Sequence, residues 1–171
     1  MSAIALSDIR KGLHDWIHGV TGKTAIMANQ NAPRPALPYY TWSENTISKM
    51  GEDYADATAV VGNRDFTVSI QGFGDGVLSG LEDLRTSLGK PSVQIALRAK
   101  NIIVVDSGAV TDLTGLDDTK WVERSQCDFI FRTSAEVTTG DGIIETVEVQ
   151  ETIRDLDNSV IKVDLITITA I

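Results

Sequence analysis

The feature that most limits how this chain can fold is a period-two alternation of apolar and polar side chains, repeated in segments far apart. Phe66, Val68 and Ile70 alternate with Thr67, Ser69 and Gln71. Farther on, Trp121, Cys127, Phe129 and Phe131 share one parity while Arg124, Gln126, Asp128 and Arg132 share the other. Ile143, Val147, Val149 and Ile153 then alternate with Glu148, Gln150 and Arg154. Successive side chains of a strand point to opposite faces, so each segment predicts a strand with one face for a core and one for water. β-Branched and aromatic residues extend the prediction over residues 39–50 and 57–71. Asp141-Gly142 and Asp157-Asn158 supply turn signals, which makes the last third an antiparallel meander.

The apolar faces need a covering layer, and helical spacing supplies it. Ser7 is an expected N-cap, followed by Ile9, Leu13, Trp16, Ile17 and Val20, with Gly19 and Gly22 as the stop. A second helix carries Val77, Leu78, Leu81, Leu84 and Leu88, with Asp75 as its N-cap and Gly89 as its end. Pro91 opens a short third helix reaching Asn101, and residues 102–105 read as a buried strand. Residues 29–38 exclude both helix and interior strand: they hold three of the four prolines, Pro33, Pro35 and Pro38, after the amides Asn29, Gln30 and Asn31. An extended ligand segment, a fixed connector and a rigid surface loop all suit that composition.

The predicted fold is α+β: a mixed, mainly antiparallel β-sheet with a long β-hairpin, packed against an N-terminal helix and one or two central helices. No internal repeat divides the chain, so residues 1–171 are expected to form a single domain. Strands of ~15 residues flanking Asp141-Gly142 would span ~50 Å, against ~40 Å for a compact globule of this size. Such a hairpin must bend or project, and a projecting one leaves edges that invite another chain. A bulge at residues 134–136 is the alternative that would divide it into ordinary pieces.

Charge and cysteine content narrow the function classes. Lys and Arg total 15 against 24 Asp and Glu, a net charge of −9, which disfavours binding to the DNA backbone but suits a surface that DNA slides past. No apolar run approaches the ~18 residues of a membrane span, and residues 1–6 lack the basic flank and apolar stretch of a signal peptide. A soluble protein without a membrane partner is expected. The lone Cys127 cannot form an internal disulfide and suits a reducing cytoplasm.

The motifs that resemble chemistry fall short of it. His14 and His18 stand four apart on one helical face, as in zinc metalloproteases, but these are the only 2 histidines, and Asp15 occupies the place of the catalytic glutamate. A zinc-dependent enzyme centred on His14 and His18 is the remote alternative. Gly22-Lys23-Thr24 follows a helix instead of a strand and lacks the first glycine of a phosphate loop. Gly72-Phe73-Gly74 does sit between a strand and a helix, yet Val77 stands where a dinucleotide fold has its third glycine. Cys127 lies in a strand with no basic neighbour to activate it, and Glu82-Asp83 and Asp117-Asp118 read as solvated acids. No catalytic residues, cofactor or metal are expected.

Several short motifs together carry a family resemblance. Val20-Thr21-Gly22, Ala28-Asn29-Gln30-Asn31-Ala32-Pro33-Arg34-Pro35 and Pro38-Tyr39-Tyr40 occur in order, followed by the glycine-rich strand end with Asp75 and by Asp112-Leu113-Thr114. Trp121, Glu123-Arg124 and Asp128-Phe129-Ile130-Phe131 complete the series. The chain thereby resembles the neck or tail terminator proteins of contractile-tailed bacteriophages. The resemblance implies a structural virion protein forming a hexameric ring on the last ring of the tail tube, with the sheath a further neighbour. Its other face would meet neck and head-completion proteins, genomic DNA would pass through without specific binding, and assembly would occur in the host cytoplasm. A head-to-tail stopper or a tail-tube subunit is the closest alternative. On this reading Trp121, Arg124, Asp141 and the hairpin over residues 133–145 are candidate contacts between subunits or with the tube. Asn29, Gln30, Asn31, Pro33 and Pro35 are candidates for a connector or docking loop. Each has a plainer reading, with Trp121 in the core and Arg124 paired with a local carboxylate.

Overall fold

The computed structural model describes residues 4–31, 33–55, 59–117, 119–138, 146–154 and 160–169; Asp117 and the last two segments are described as backbone only. In chain order the elements are α1 (Leu6–Thr21), β1 (Thr24–Met27), β2 (Tyr39–Ala55), β3 (Ala59–Phe73), α2 (Val77–Ser87) and α3 (Pro91–Arg98). They continue with β4 (Ile103–Ser107), β5 (Thr111–Asp112), β6 (Gly115–Asp117), β7 (Lys120–Val122), β8 (Arg124–Thr138), β9 (Thr146–Arg154) and β10 (Val160–Thr169). The fold is α+β. Its main sheet runs β1-β2-β3-β8-β4, with β5 also on β8, while β6–β7 and β9–β10 form separate two-stranded ribbons.

The predicted alternation is the register of this sheet. Ile70 pairs with Cys127, Val68 with Phe129 and Phe66 with Phe131, so the apolar parity of two distant segments shares one face. That face meets α1 and α2, whose Leu13, Trp16, Ile17, Leu81 and Leu84 are buried in the same cluster. Trp16 stands edge-on to Phe129 and Phe131, with ring centroids 5.3 and 5.8 Å away, and its Nε1–H donates to Ser87 Oγ at 2.9 Å. The indole thus packs apolar surface without stranding its polar atom. Each such side chain contributes ~1.5–3 kcal/mol of burial.

The helices begin and end where backbone geometry permits. Gly22 closes α1 at φ 64°, a left-handed conformation favoured by glycine, and its N–H donates to the His18 carbonyl at 2.8 Å. Pro91 stands in the first turn of α3, where a missing N–H costs nothing. Two expected caps are corrected. Ala5, not Ser7, precedes α1 and makes no side-chain cap, and Gly76, not Asp75, precedes α2 with φ 78°.

Three strand expectations also change. β1 was not expected; it pairs in parallel with residues 39–42, and the proline-rich stretch over 28–38 is the crossover that parallel pairing requires. Residues 102–105 do not form a buried strand: Ile102 is buried, but β4 lies at the sheet edge, with Ile103 and Val105 exposed. The long hairpin is β2–β3, not β8–β9. β8 pairs with β3, β4 and β5, and β9 with β10. Pairing of β3 with β8 runs from Ala59↔Thr138 to Phe73↔Arg124 without a register shift, so there is no bulge at residues 134–136. The Asp141-Gly142 and Asp157-Asn158 turns lie outside the described residues.

Candidate interface surfaces

At the helix-proximal end of the sheet, the face turned away from the core carries a column of two stacked rings flanked by two cations. Tyr39, Phe73 and Arg124 are neighbours across β2, β3 and β8. The Tyr39 and Phe73 rings stack with centroids 5.0 Å apart, the Arg124 guanidinium lies 5.1 Å from the Phe73 centroid, and Arg34 covers Tyr39 at 5.9 Å. Arg124 also donates to Gln71 Oε1 at 2.8 Å, so its partners are a ring and an amide instead of the local carboxylate of the plainer reading. Beside this column Leu113, Leu116 and Val122 complete an open cleft of about 500 Å³.

Long-range contacts hold the end in place. Glu123 accepts from the Gly76 N–H and the Leu78 N–H, both at 2.9 Å, and so puts a carboxylate on the N-terminus of α2. This is the anion that free N–H groups and the helix dipole favour, and the chain supplies it from 47 residues away. Gly74, at φ 97°, donates its N–H to the Glu123 carbonyl at 2.8 Å. A Cβ on Gly74 would come 3.0 Å from Leu37 Cβ and 3.1 Å from Pro38 Cα, so glycine lets the proline segment lie close against the end of β3.

Farther along, that face is polar. Gln71 donates to Gln126 Oε1 at 3.3 Å, Ser69 donates to Asp128, and Arg132 grips Asp65 through two bonds of 2.6 and 2.9 Å. Hydrogen bonding to Arg132 holds the Asp65 carboxyl below its ordinary value, against the opposing effect of desolvation.

The distal end of the β2–β3 hairpin has a different cover. Two register shifts bulge β2, one between Glu44 and Thr46 and one between Met50 and Tyr54, and Gly51 takes φ 73° in the second. The bulge turns Asp53 over Gly62, where its carboxylate accepts from Arg64 at 2.7 and 2.9 Å and lies 3.5 Å from Lys49. Added at Gly62, a Cβ would fall on that carboxylate, which is why this strand position is glycine. Hydrogen bonds from Arg64 lower the Asp53 pKa, while burial opposes the shift. Toward this end of β2, β3 and β8, on one face of the sheet or the other, Ile47, Met50, Tyr54, Val61 and Val137 are exposed, Tyr54 at 69%. Because β1 covers only residues 39–42 of β2, residues 43–55 have no strand partner on their outer edge among the described residues. On the other side of the sheet, Asn101 takes a left-handed φ of 58° and its Nδ2 donates to the Ser134 carbonyl at 3.1 Å, occupying the β8 edge there.

The residues singled out by sequence do not form one site. Trp121 is not in the core: it is 74% exposed on the β6–β7 hairpin, opposite Leu116. Arg124 joins the ring column. Asn29 makes the turn after β1 with φ 61°, which its short polar side chain tolerates. Gln30, Asn31 and Pro33 are exposed and Pro35 is half-buried, leading to Arg34 at the cleft, whereas Asp141 lies outside the described residues. Arg34 lies inside the connector segment singled out over residues 29–35, whereas the sequence reading missed Glu123, Tyr39 and Phe73 as members of this end. Only the position of Tyr39 after Pro38 and of Phe73 at a strand end hinted that their rings could meet.

Groups weighed for chemistry are placed differently. The His14 and His18 rings stack with centroids 6.1 Å apart; His14 Nδ1 is 3.4 Å from Asp15 Oδ1, and His18 Nδ1 donates to the Lys23 carbonyl at 2.9 Å. Among the described residues no group of three or more His, Cys, Asp or Glu could hold a metal ion. Cys127 is buried near the start of β8, and burial pushes its thiol up to about 11, away from thiolate chemistry. Among the described residues no helix is long and apolar enough to cross a membrane.

These surfaces belong to an α+β scaffold that displays sheet edges, an aromatic column and apolar tips. The model of the phage neck terminator proteins matches residues 7–161, and the chain belongs to that family. It is accordingly a structural protein of the phage tail and neck, located there in the virion and associating with other tail and neck proteins. No curated protein matches the sequence significantly.

Proposed function

We propose that the chain is a single-domain ring subunit that terminates the tail tube of a contractile-tailed phage and joins it, as a hexamer, to neck and head-completion proteins. Family membership supplies the neck role, and the carrying observation for a ring is the outer edge of β2 over residues 43–55. Backbone groups there can pair with another copy. Because one edge meets a different surface of the next copy, the contact is heterologous and closes into a ring when the rotation permits. The two bulges and Lys49 hinder indiscriminate edge pairing, so the strand suits one shaped partner better than casual aggregation. A net charge of −9 lets DNA pass the ring without sticking, and the buried Cys127 suits assembly in the host cytoplasm.

In this reading the exposed Tyr54 and Met50 dock on a neighbouring copy or on the tube, together with the residues around Asp141. The cleft with Arg34 and Arg124, led into by Asn29, Gln30, Asn31, Pro33 and Pro35, faces tube, sheath or neck partners. Light scattering and negative-stain imaging of the pure protein, alone and with purified tail tubes, test the proposal. Six-fold rings, free or seated on tube ends, are the expected result. A strict monomer that also fails to bind tubes would overturn it.

A further inference from the structure

Two apolar surfaces stay open in the subunit, one a groove and the other a projecting knob. One is a groove of about 390 Å³ between α1 and α3, floored by Trp16 and Leu97 and walled by Val20 and Val93. Gly19 lines its rim, where an added Cβ would meet nothing within 4 Å. The other is the β6–β7 hairpin, where Leu116 and Trp121 stand opposite one another at 60% and 74% exposure. Trp121 is the most exposed large hydrophobic side chain among the described residues.

The groove belongs to the helical layer, whereas the hairpin borders the cleft of Tyr39, Phe73 and Arg124 on the opposite face of the sheet. One subunit therefore leaves its own knob and its own groove apart. Opposite charges flank the two surfaces at one point: Lys120 is exposed next to Trp121 with no ion-pair partner among the described residues, and Asp15 is exposed on the α1 wall of the groove, across from Lys100 on its other wall. An aromatic ring offers ~150–250 Å² of surface to bury, a large return for few ordered torsions.

We propose that Trp121 and Leu116 of one copy enter the α1–α3 groove of the next, with Lys120 meeting Asp15. Knob and groove are different surfaces on opposite faces of the subunit, so each copy can offer its knob to one neighbour and its groove to another, and the head-to-tail repeat closes into a ring when the rotation permits. This rests on the ring reading above and adds the contact that joins neighbours.

The test is an Asp15→Cys, Lys120→Cys double variant treated with a short bismaleimide, with each single variant and the parent as controls. Cys127, buried at 1% exposure, stays out of the reaction. Treatment is applied both to the concentrated protein and to the protein bound to tail tubes, and imaging records whether rings are present. A ladder of three or more linked chains from the double variant alone is expected. Dimers only, or no ladder from visible rings, would overturn the contact while leaving the ring intact. Absence of rings and of tube binding would overturn the ring reading and this contact with it. As a second measure, Gly19→Leu fills the groove and Trp121→Ser removes the knob, both at exposed positions. Each should keep the parent unfolding midpoint and weaken assembly at least tenfold; unchanged assembly in both would overturn the proposal.

Discussion

Along β3, Phe66, Val68 and Ile70 are buried between α1, α2 and the neighbouring strands, whereas Val60, of the same parity on the same strand, is only half-buried and Gly62 lies beneath the Asp53 carboxylate. β8 repeats the contrast, with Phe129 and Phe131 fully buried and Val137 exposed. β3 and β8 keep one unbroken register through both halves, so the difference lies in what covers the strands and not in the strands themselves. The proximal half is stabilised by apolar burial, which persists without a partner. In the distal half, ion pairs and backbone hydrogen bonds replace the helical layer, and its apolar side chains stay open. Partly exposed ion pairs such as Asp53–Arg64 contribute less than the apolar burial they stand in for.

The largest expected effect comes from breaking the proximal half. Phe129→Ala should lower stability by ~3–5 kcal/mol, because a buried ring leaves a cavity that the packed helices cannot fill. Tyr54→Ser, at the distal end, should change stability by less than ~0.5 kcal/mol yet reduce assembly. Denaturant unfolding of both variants checks this directly, and equal losses would erase the distinction between the halves. Next in size is Glu123→Ala, which removes the carboxylate from the N-terminus of α2 and should cost ~1 kcal/mol, with Glu123→Gln intermediate. A loss confined to α2 in amide exchange would show that the cap is local to the proximal half.

Smaller effects sharpen the distal side. Gly62→Ala displaces Asp53 from Arg64, and amide exchange over residues 59–65 should quicken while the global midpoint barely moves. Acidification should act in the same place. Asp53 and Asp65 are held below their ordinary value of 3.8, so their contribution is complete above it and is lost as the pH falls through the lowered values. Exchange should therefore rise first over residues 49–65 below pH 3.8, with Trp16 fluorescence still native; simultaneous loss in both halves would contradict it.

Much of the fold was legible because local period reports local facing. Ile9, Leu13, Trp16 and Ile17 recur at helical spacing and are buried, and the parity of Cys127, Phe129 and Phe131 is their burial. Trp121 shares that parity number but not that sheet, since β7 belongs to a separate hairpin and the chain is re-aimed at Glu123 before β8 begins. Parity counted across such a break carries no facing information. The end of β2 was misplaced for a related reason: Gly51-Glu52-Asp53 has turn composition, yet a bulge carries the strand through it. Candidate residues fared less evenly. Arg124 and the segment leading to Arg34 reach the same cleft, but the rings that connect them come from β2 and β3, whose adjacency no spacing rule reveals.

By itself the sequence determined which residues of α1, α2, β3 and β8 face the core, where three helices run, and which family the chain resembles. These follow from side-chain periodicity and from short motifs, both of which act within a few residues. Only the tertiary structure decided that Glu123 caps α2, that β1 joins the sheet in parallel, that β2 keeps an open outer edge, and that Trp121 projects opposite Leu116. Each of those depends on which distant segments meet, and pairing between segments is set by the packing of the whole chain, not by the composition of either one.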